Sequence, residues 1–311
     1  VIRVVDSKSK RRLTEAELDA IVRKALGSPL VDHVELTDGM FNTAYRLTTA
    51  DGRQSVLKVA PPSDAALMTY ERDLMRTETL AFELMAAEGL PVPEVLYAAD
   101  GLLLMAALRG EPWSTAREGL TDAQQAALRH ELGVVVAVLH GITGDTFGYP
   151  QGPGGDTWRT AFLAMVDAVL ADAARYDVEL PARTREVFQE RAGWLDEVTT
   201  AVLVHFDLWQ ANIFLDLSGP RIEGVIDPER AFWGDPLAEL VTVALFAELD
   251  EDFLAGYGAP PFTDAMRGRL ALYRAYLCLI MIVEGVPRGY DTAEHHAAVR
   301  FFREKLAEYL A

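Results

Sequence analysis

Cysteine is almost absent. Cys278 stands alone in 311 residues, so neither a disulfide framework nor a cysteine-based metal cluster can form within the chain. It lies in the apolar run 277–283, where a lone thiol serves as a small packing residue. Positive charge is scarce too: 29 bases face 47 acids for a net charge of −18, which argues against the phosphate-neutralising surface of a general nucleic-acid binder. Only five of those bases are lysines (Lys8, Lys10, Lys24, Lys58 and Lys305), and Lys58 alone sits inside an apolar run. No stretch approaches the ~20 apolar residues of a membrane span. The start of the chain, 1–12, lacks the apolar centre of a signal segment. A cytoplasmic location without a membrane partner is therefore expected.

What is present is ordinary globular material, half hydrophobic and about a quarter charged. At about 100–200 residues per domain the length predicts two domains or lobes. Thr14 and Glu17 form a capping box that opens a helix ending near Gly27. Strand patterns follow at 31–36, 44–49 and 54–59, the last two joined at Asp51-Gly52. A helical pattern covers 65–88 and closes at Gly89; strands are expected at 94–98 and 102–105. Beyond Arg109-Gly110 the chain turns mostly helical, with helices expected at 121–140, 158–176, 181–198, 236–249, 263–284 and 293–310. Short strands are expected among them at 201–204, 213–216 and 221–226. The fold class is therefore α+β: an N-terminal lobe 1–105 with an antiparallel sheet, a hinge 106–110, and a larger helical lobe 111–311.

The segment from Val204 to Asn212 reads Val-His-Phe-Asp-Leu-Trp-Gln-Ala-Asn, a polar loop directly after a strand. It places Asp207 and Asn212 five residues apart, and Asp227 follows in Ile-Asp-Pro-Glu at the end of a short hairpin. Phosphoryl transfer needs this combination. One carboxylate orients the acceptor hydroxyl and takes its proton, while an amide and a second carboxylate hold Mg²⁺ on the nucleotide phosphates. Such a site also needs a strand lysine for the α/β-phosphates, braced by a helical glutamate. Lys58 in Val-Leu-Lys-Val fits, and by spacing both Glu71 and Glu78 remain open as its partner. The histidines show no zinc-ligand spacing, and no serine sits in a nucleophile elbow.

These residues resemble the aminoglycoside phosphotransferases and related small-molecule kinases, which share the bilobal protein-kinase-like fold. The resemblance implies Asp207 as catalytic base and Asn212 and Asp227 as metal-binding residues. It also implies the pair Lys58–Glu78 and a nucleotide, ATP or GTP, bound with Mg²⁺. Residues 37–44 occupy the position of the phosphate loop, with the amides of Phe41, Asn42 and Thr43 facing phosphate oxygens, although a plain hairpin turn has the same local sequence. Residues 103–110 resemble the adenine hinge, with the backbone of Ala106 and Leu108 at the base edge and Met105 lining the pocket.

The acceptor is read from charge. Between Ala231 and Met266 lie seven acids and no Lys or Arg. In the resembled family such acids bind cationic antibiotics, so Asp235, Glu239, Glu248, Asp250 and Glu251, with Glu284 at the end of the next helix, are expected acceptor contacts for a small, hydroxylated, amine-bearing molecule. Asp235 in Gly-Asp-Pro is equally suited to fixing a turn. Trp209 gives His-x-Asp-Leu-Trp, a variant also seen in fructosamine kinases. Three readings stay open: an antibiotic-inactivating kinase, a metabolic kinase of a sugar amine or amino alcohol, and a silent kinase-like sensor.

Overall fold

The computed structural model describes residues 10–37, 41–99, 101–152, 154–245 and 247–311. Helix α1 (Glu15–Leu26) starts at the predicted capping box, with Thr14 accepting from the Glu17 amide, and ends at the left-handed Gly27. Strands β1 (Leu30–Leu36), β2 (Thr43–Thr49) and β3 (Gln54–Val59) follow, then helix α2 (Leu74–Ala87) and strands β4 (Val95–Ala99) and β5 (Leu102–Ala106). They form one antiparallel sheet in the order β1-β2-β3-β5-β4.

Alternation along β3 decides which side chains meet which helix. Leu57 and Val59 face α1, packing with Leu18, Val22, Tyr45 and Leu104. Val56 points to the opposite face, where α2 contributes Met75 and Phe82 to a cluster with Leu103 and Met105. Lys58 is two residues from Val56, so the pleat delivers it to α2. Helix α2 has a second apolar side. Leu74, Ala81 and Met85 belong to the large core shared with the helical lobe.

The second lobe begins with β6 (Glu111–Pro112), α3 (Trp113–Ala116) and α4 (Asp122–Leu139), followed by β7 (Thr143–Gly144), β8 (Phe147–Gly148) and β9 (Gly154–Gly155). Helices α5 (Trp158–Arg175) and α6 (Thr184–Glu190) lead to β10 (Ala201–Val204), β11 (Ile213–Asp216), β12 (Arg221–Val225) and β13 (Phe232–Gly234). The chain closes with α7 (Leu237–Ala244), α8 (Glu251–Tyr257), α9 (Asp264–Val283), α10 (Gly285–Arg288) and α11 (Ala293–Leu310). Aromatic rings of Trp158, Phe162, Phe206, Phe232, Tyr273 and Tyr276 make its centre.

Several expectations change. The predicted helix 65–88 is helical as α2 only from Leu74, because Asp73 takes a left-handed conformation (φ 57°) and the preceding turn Thr69–Glu71 is 3-10. The helix expected at 236–249 stops at Ala244, where Leu245 turns left-handed (φ 42°), and 181–198 becomes α6 followed by a 3-10 stretch. The two- and three-residue strands β6–β9 and β13 carry too few residues for a periodic signal. The expectation that no run is apolar enough to span a membrane also needs correcting. Asp264–Arg288 has that length and composition, with a mean hydropathy of 1.6, and 78% of its apolar window is buried inside the fold. Cys278 packs there, fully buried, its thiol pushed up to about 12 by burial.

Candidate active site

On α2, Glu78 lies one helical turn from both Met75 and Phe82, on the face turned to β3. Its Oε1 meets Lys58 Nζ at 2.5 Å, and the same ammonium contacts Asp227 Oδ1 at 2.5 Å. Between the two open candidates the geometry selects Glu78, because the Glu71 carboxylate is held by Arg288 instead. Burial alone would discharge Lys58. The carboxylates of Asp227, Glu78 and Glu229 outweigh it and hold the ammonium charged, well above its usual value. Burial raises Glu78 to about 7 despite Lys58.

Strand β10 ends at Val204 and the catalytic-type loop begins. Phe206, just before Asp207, adopts φ 58°, a backbone conformation that costs a non-glycine residue about 1–2 kcal/mol. The loop is held in it from below. The buried Glu239 of α7 accepts the amides of His205 (2.6 Å) and Phe206 (3.1 Å), and Thr242 accepts that of Leu208. His205 ties the loop sideways. Its Nε2 donates to Ile226 O at 3.0 Å while Nδ1 accepts from the Asp207 amide, an arrangement that requires the neutral ring. Burial lowers its pKa to about 4, in keeping with that state. Asn212 donates through Nδ2 to Asp207 O and Oδ2 at 2.9 and 3.0 Å, so Asp207 and Asn212 meet as their spacing predicts. Burial raises the Asp207 carboxyl to about 7.

Asp227 follows β12 in the left-handed region (φ 67°), and Asn212 O accepts the Ile226 amide beside it, joining the two loops. Burial opposes its ionisation, but Lys58 keeps it below the ordinary carboxylate value. Two residues on, Glu229 is buried against it and accepts from Asn42 Nδ2 at 2.7 Å. Burial and the neighbouring Asp227 push Glu229 well above its ordinary value. Glu78, Asp227 and Glu229 bring oxygens within 4.8 Å of one another, and Glu78 Oε2 is buried without a hydrogen-bond partner. These hard oxygen donors, with the Asn212 amide nearby, suit Mg²⁺.

The remaining predicted residues scatter. Phe41 and Asn42 are buried, Phe41 beneath the Arg288 guanidinium at 4.9 Å, and Thr43 starts β2; Asp38 to Met40 lie outside the described residues. In the hinge, Ala106 N–H already donates to Glu94 O, so a base-edge contact there would run through its carbonyl. Leu108 packs over Gly224, where a Cβ would come within 2.6 Å of it. Met105 is buried with Phe82 of α2.

The acceptor residues need correction. Asp235 is buried and accepts from Arg269, Tyr273 and the Leu237 amide, so it fixes the turn before α7. Glu239 holds the catalytic-type loop as described. Glu284 is buried with Arg230 (2.9 Å), Arg288 (3.1 Å) and Tyr70, and its two arginines overcome burial to keep its carboxyl below the usual range. None of the three is presented to a ligand. Glu248 and Asp250 instead line a groove of 940 Å³ with Glu118, Asp252, Arg129 and Trp209. Asp250 also caps α8 and pairs with Arg129, while Glu251 is exposed in the first turn of α8. Sequence reasoning missed Glu229, Arg230 and the loop-holding role of Glu239. Of these, only Glu229, two residues beyond Asp227, carried a local signal.

The model of the phosphotransferase enzyme family matches residues 32–273, more than half of the chain and all of the loops just described. The chain belongs to the phosphotransferase enzyme family. It is a phosphotransferase with an alcohol group as acceptor, on the bilobal protein-kinase-like fold. An aminoglycoside 3'-phosphotransferase of Streptomyces fradiae is 26% identical over 69% of this chain and 83% of its own length. Among solved structures, a candidate fructosamine-3-kinase of Thermobifida fusca superposes with a TM-score of 0.69 at 20% identity, covering 95% of this phosphotransferase and 100% of that chain. A thermostable mutant of aminoglycoside phosphotransferase APH(4)-Ia, in ternary complex with AMP-PNP and hygromycin B, gives 0.65 at 20% identity over 94% and 98%.

Proposed function

We propose that this phosphotransferase moves the γ-phosphate of a nucleoside triphosphate to a hydroxyl of a small amine-bearing molecule, an antibiotic in the first reading. The observation that carries the proposal is the half-buried Asp207, held with Asn212 on one loop while Lys58, Glu78 and Asp227 converge opposite. Asp207 would orient the acceptor hydroxyl and receive its proton as the oxygen bonds to the γ-phosphorus. The bond to the β–γ bridging oxygen breaks, and the nucleoside diphosphate leaves with that electron pair. Lys58, fixed by Glu78, would hold the α/β-phosphates. Asn212 and Asp227 would hold Mg²⁺, which supplies charge neutralisation on the phosphates when bound. Because the transition state is loose, positioning and charge neutralisation would supply most of the rate.

The groove beside Trp209 supports an amine-bearing acceptor, since Glu118, Glu248 and Asp252 line it. Trp209 itself, through the His-x-Asp-Leu-Trp variant, favours a sugar amine as the second reading. A coupled nucleoside-diphosphate release screen tests both, across aminoglycosides, macrolides, nucleoside and peptide antibiotics, sugar amines and amino alcohols. Turnover with an aminoglycoside is expected, and turnover confined to sugar amines would move the assignment to metabolism. Tight nucleotide binding with no turnover on any acceptor would identify a sensor and overturn the kinase reading.

A further inference from the structure

Four of the five amides in the hinge 106–110 are already engaged. Ala106 N donates to Glu94 O at 2.9 Å and Ala107 N to Gln54 O at 3.2 Å, both within the N-terminal lobe. Past Leu108 the next two amides turn to the other lobe. Arg109 N donates to Glu223 Oε1 at 2.9 Å, and Gly110 N donates to Glu223 Oε2. Between these pairs, the Leu108 amide has no partner among the described residues. It is the one hinge donor left to read a base edge.

Glu223 belongs to β12, and the hairpin it stands on reaches the phosphate end of the site. Strand β11 starts directly after Asn212, β12 ends two residues before Asp227, and Ile213 pairs with Val225 between them. Glycine makes room for the contact on both sides. At Gly110 a Cβ would lie 2.1 Å from Leu215 O and 2.4 Å from Glu223 Oε2, so a larger residue would force the hinge off the hairpin. At Gly224, beside Glu223, a Cβ would meet the Leu108 side chain at 2.6 Å. Glu111 then pairs with Leu215 and extends the attachment into β6.

We propose that Glu223 is a positioning residue for the nucleotide, which sets the hinge, and with it the Leu108 amide, in register with Asn212 and Asp227. A nucleotide has to satisfy the hinge with its base and the opposite end of the hairpin with its phosphates at once. A carboxylate that accepts two consecutive amides fixes both the path and the tilt of the backbone, and its charge strengthens both bonds. Leu108 is held from the next residue on, so its free amide is placed before any base arrives. The inference rests on the kinase reading of the hinge and adds to it a residue that touches neither base nor phosphate.

The test compares a ligand that uses both ends with one that uses the phosphate end alone. Adenosine or guanosine diphosphate, whichever binds tighter, and inorganic tripolyphosphate are each titrated with Mg²⁺ into the full chain by calorimetry. Glu223→Gln keeps the size of the side chain but turns an amino group toward one of the two amides. It should weaken the nucleotide about tenfold and leave tripolyphosphate unchanged. Gly110→Ala pushes the same contact apart from the hinge side and should give the same split. Equal losses for both ligands would make the contact general scaffolding and overturn the proposal, as would nucleotide affinity unchanged in both variants. A wild-type chain that binds tripolyphosphate but neither nucleotide would sink the hinge reading itself, whereas tight nucleotide binding that ignores both substitutions would sink this inference alone.

Discussion

Two buried ionic clusters lie close together in this phosphotransferase, and they are composed differently. Around Glu284 two carboxylates, Glu71 and Glu284, meet two arginines, Arg230 and Arg288, with Tyr70 donating to Glu284. Every charge there has an opposite, and the cluster ties α9 and α10 to the turn before α2. Around Lys58, three carboxylates share one ammonium. The balanced cluster behaves as structure, whereas the unbalanced one is set up to receive positive charge from outside. Neighbouring buried ion pairs can therefore be told apart by their sums, not by their distances.

The largest expected effect falls at the edge of the unbalanced cluster. Asp207→Ala should lower turnover by at least about a thousandfold while nucleotide still binds, because base and orientation are lost together; nucleotide titration alongside steady-state rates checks both. Retained turnover would remove Asp207 from its role. In the balanced cluster, Glu284→Gln should lower unfolding free energy by about 3–5 kcal/mol, since two buried arginines lose a shared partner. Denaturant unfolding reads that loss. The sharpest contrast is in size. In Mg²⁺-free buffer Glu229→Gln should leave stability nearly unchanged, because burial and the neighbouring Asp227 already favour its uncharged form. A near-zero shift for Glu229→Gln beside a large loss for Glu284→Gln would confirm the distinction, and equal losses would erase it.

A pH series sharpens the comparison from outside both clusters. His140 is half-buried with its Nε2 shut off from solvent, hydrogen-bonded to Tyr257 through Nδ1, and lowered to about 3 by desolvation, while the unfolded chain protonates near the ordinary 6.5. The unfolded state thus binds more protons between those values. Stability is full above pH 6.5 and should fall by up to about 1.4 kcal/mol per pH unit below it. His140→Gln should flatten that acid limb. The smallest effect belongs to Thr14→Ala, which removes the capping box of α1 and should cost about 1 kcal/mol without touching turnover.

Legibility in the sequence followed chain distance. Asp207 with Asn212, and the alternation that turns Lys58 toward α2, are local patterns, and the structure realises both. Asn42 meets Glu229 across 187 residues and Arg288 meets Glu71 across 217, separations over which no spacing rule speaks. The acidic stretch after Asp227 misled for the same reason. Composition cannot show that Asp235 and Glu239 turn inward to backbone donors while Glu248 lines a groove. The helix expected from 65 overran because its apolar period continued through Asp73, whose left-handed turn is imposed by docking rather than by local preference.

That docking has a mechanical consequence. Asp172 of α5 accepts from the amide and hydroxyl of Thr69, Gln151 bridges Tyr70 O and Thr77, and Tyr176 donates to Leu67 O, so the segment leading into α2 is riveted to the helical lobe. Glu78 therefore stands on a helix tied to the helical lobe, whereas Lys58 stands on the sheet. The Lys58–Glu78 contact spans that seam, so any shift of the sheet against the helical lobe would be felt at this ion pair.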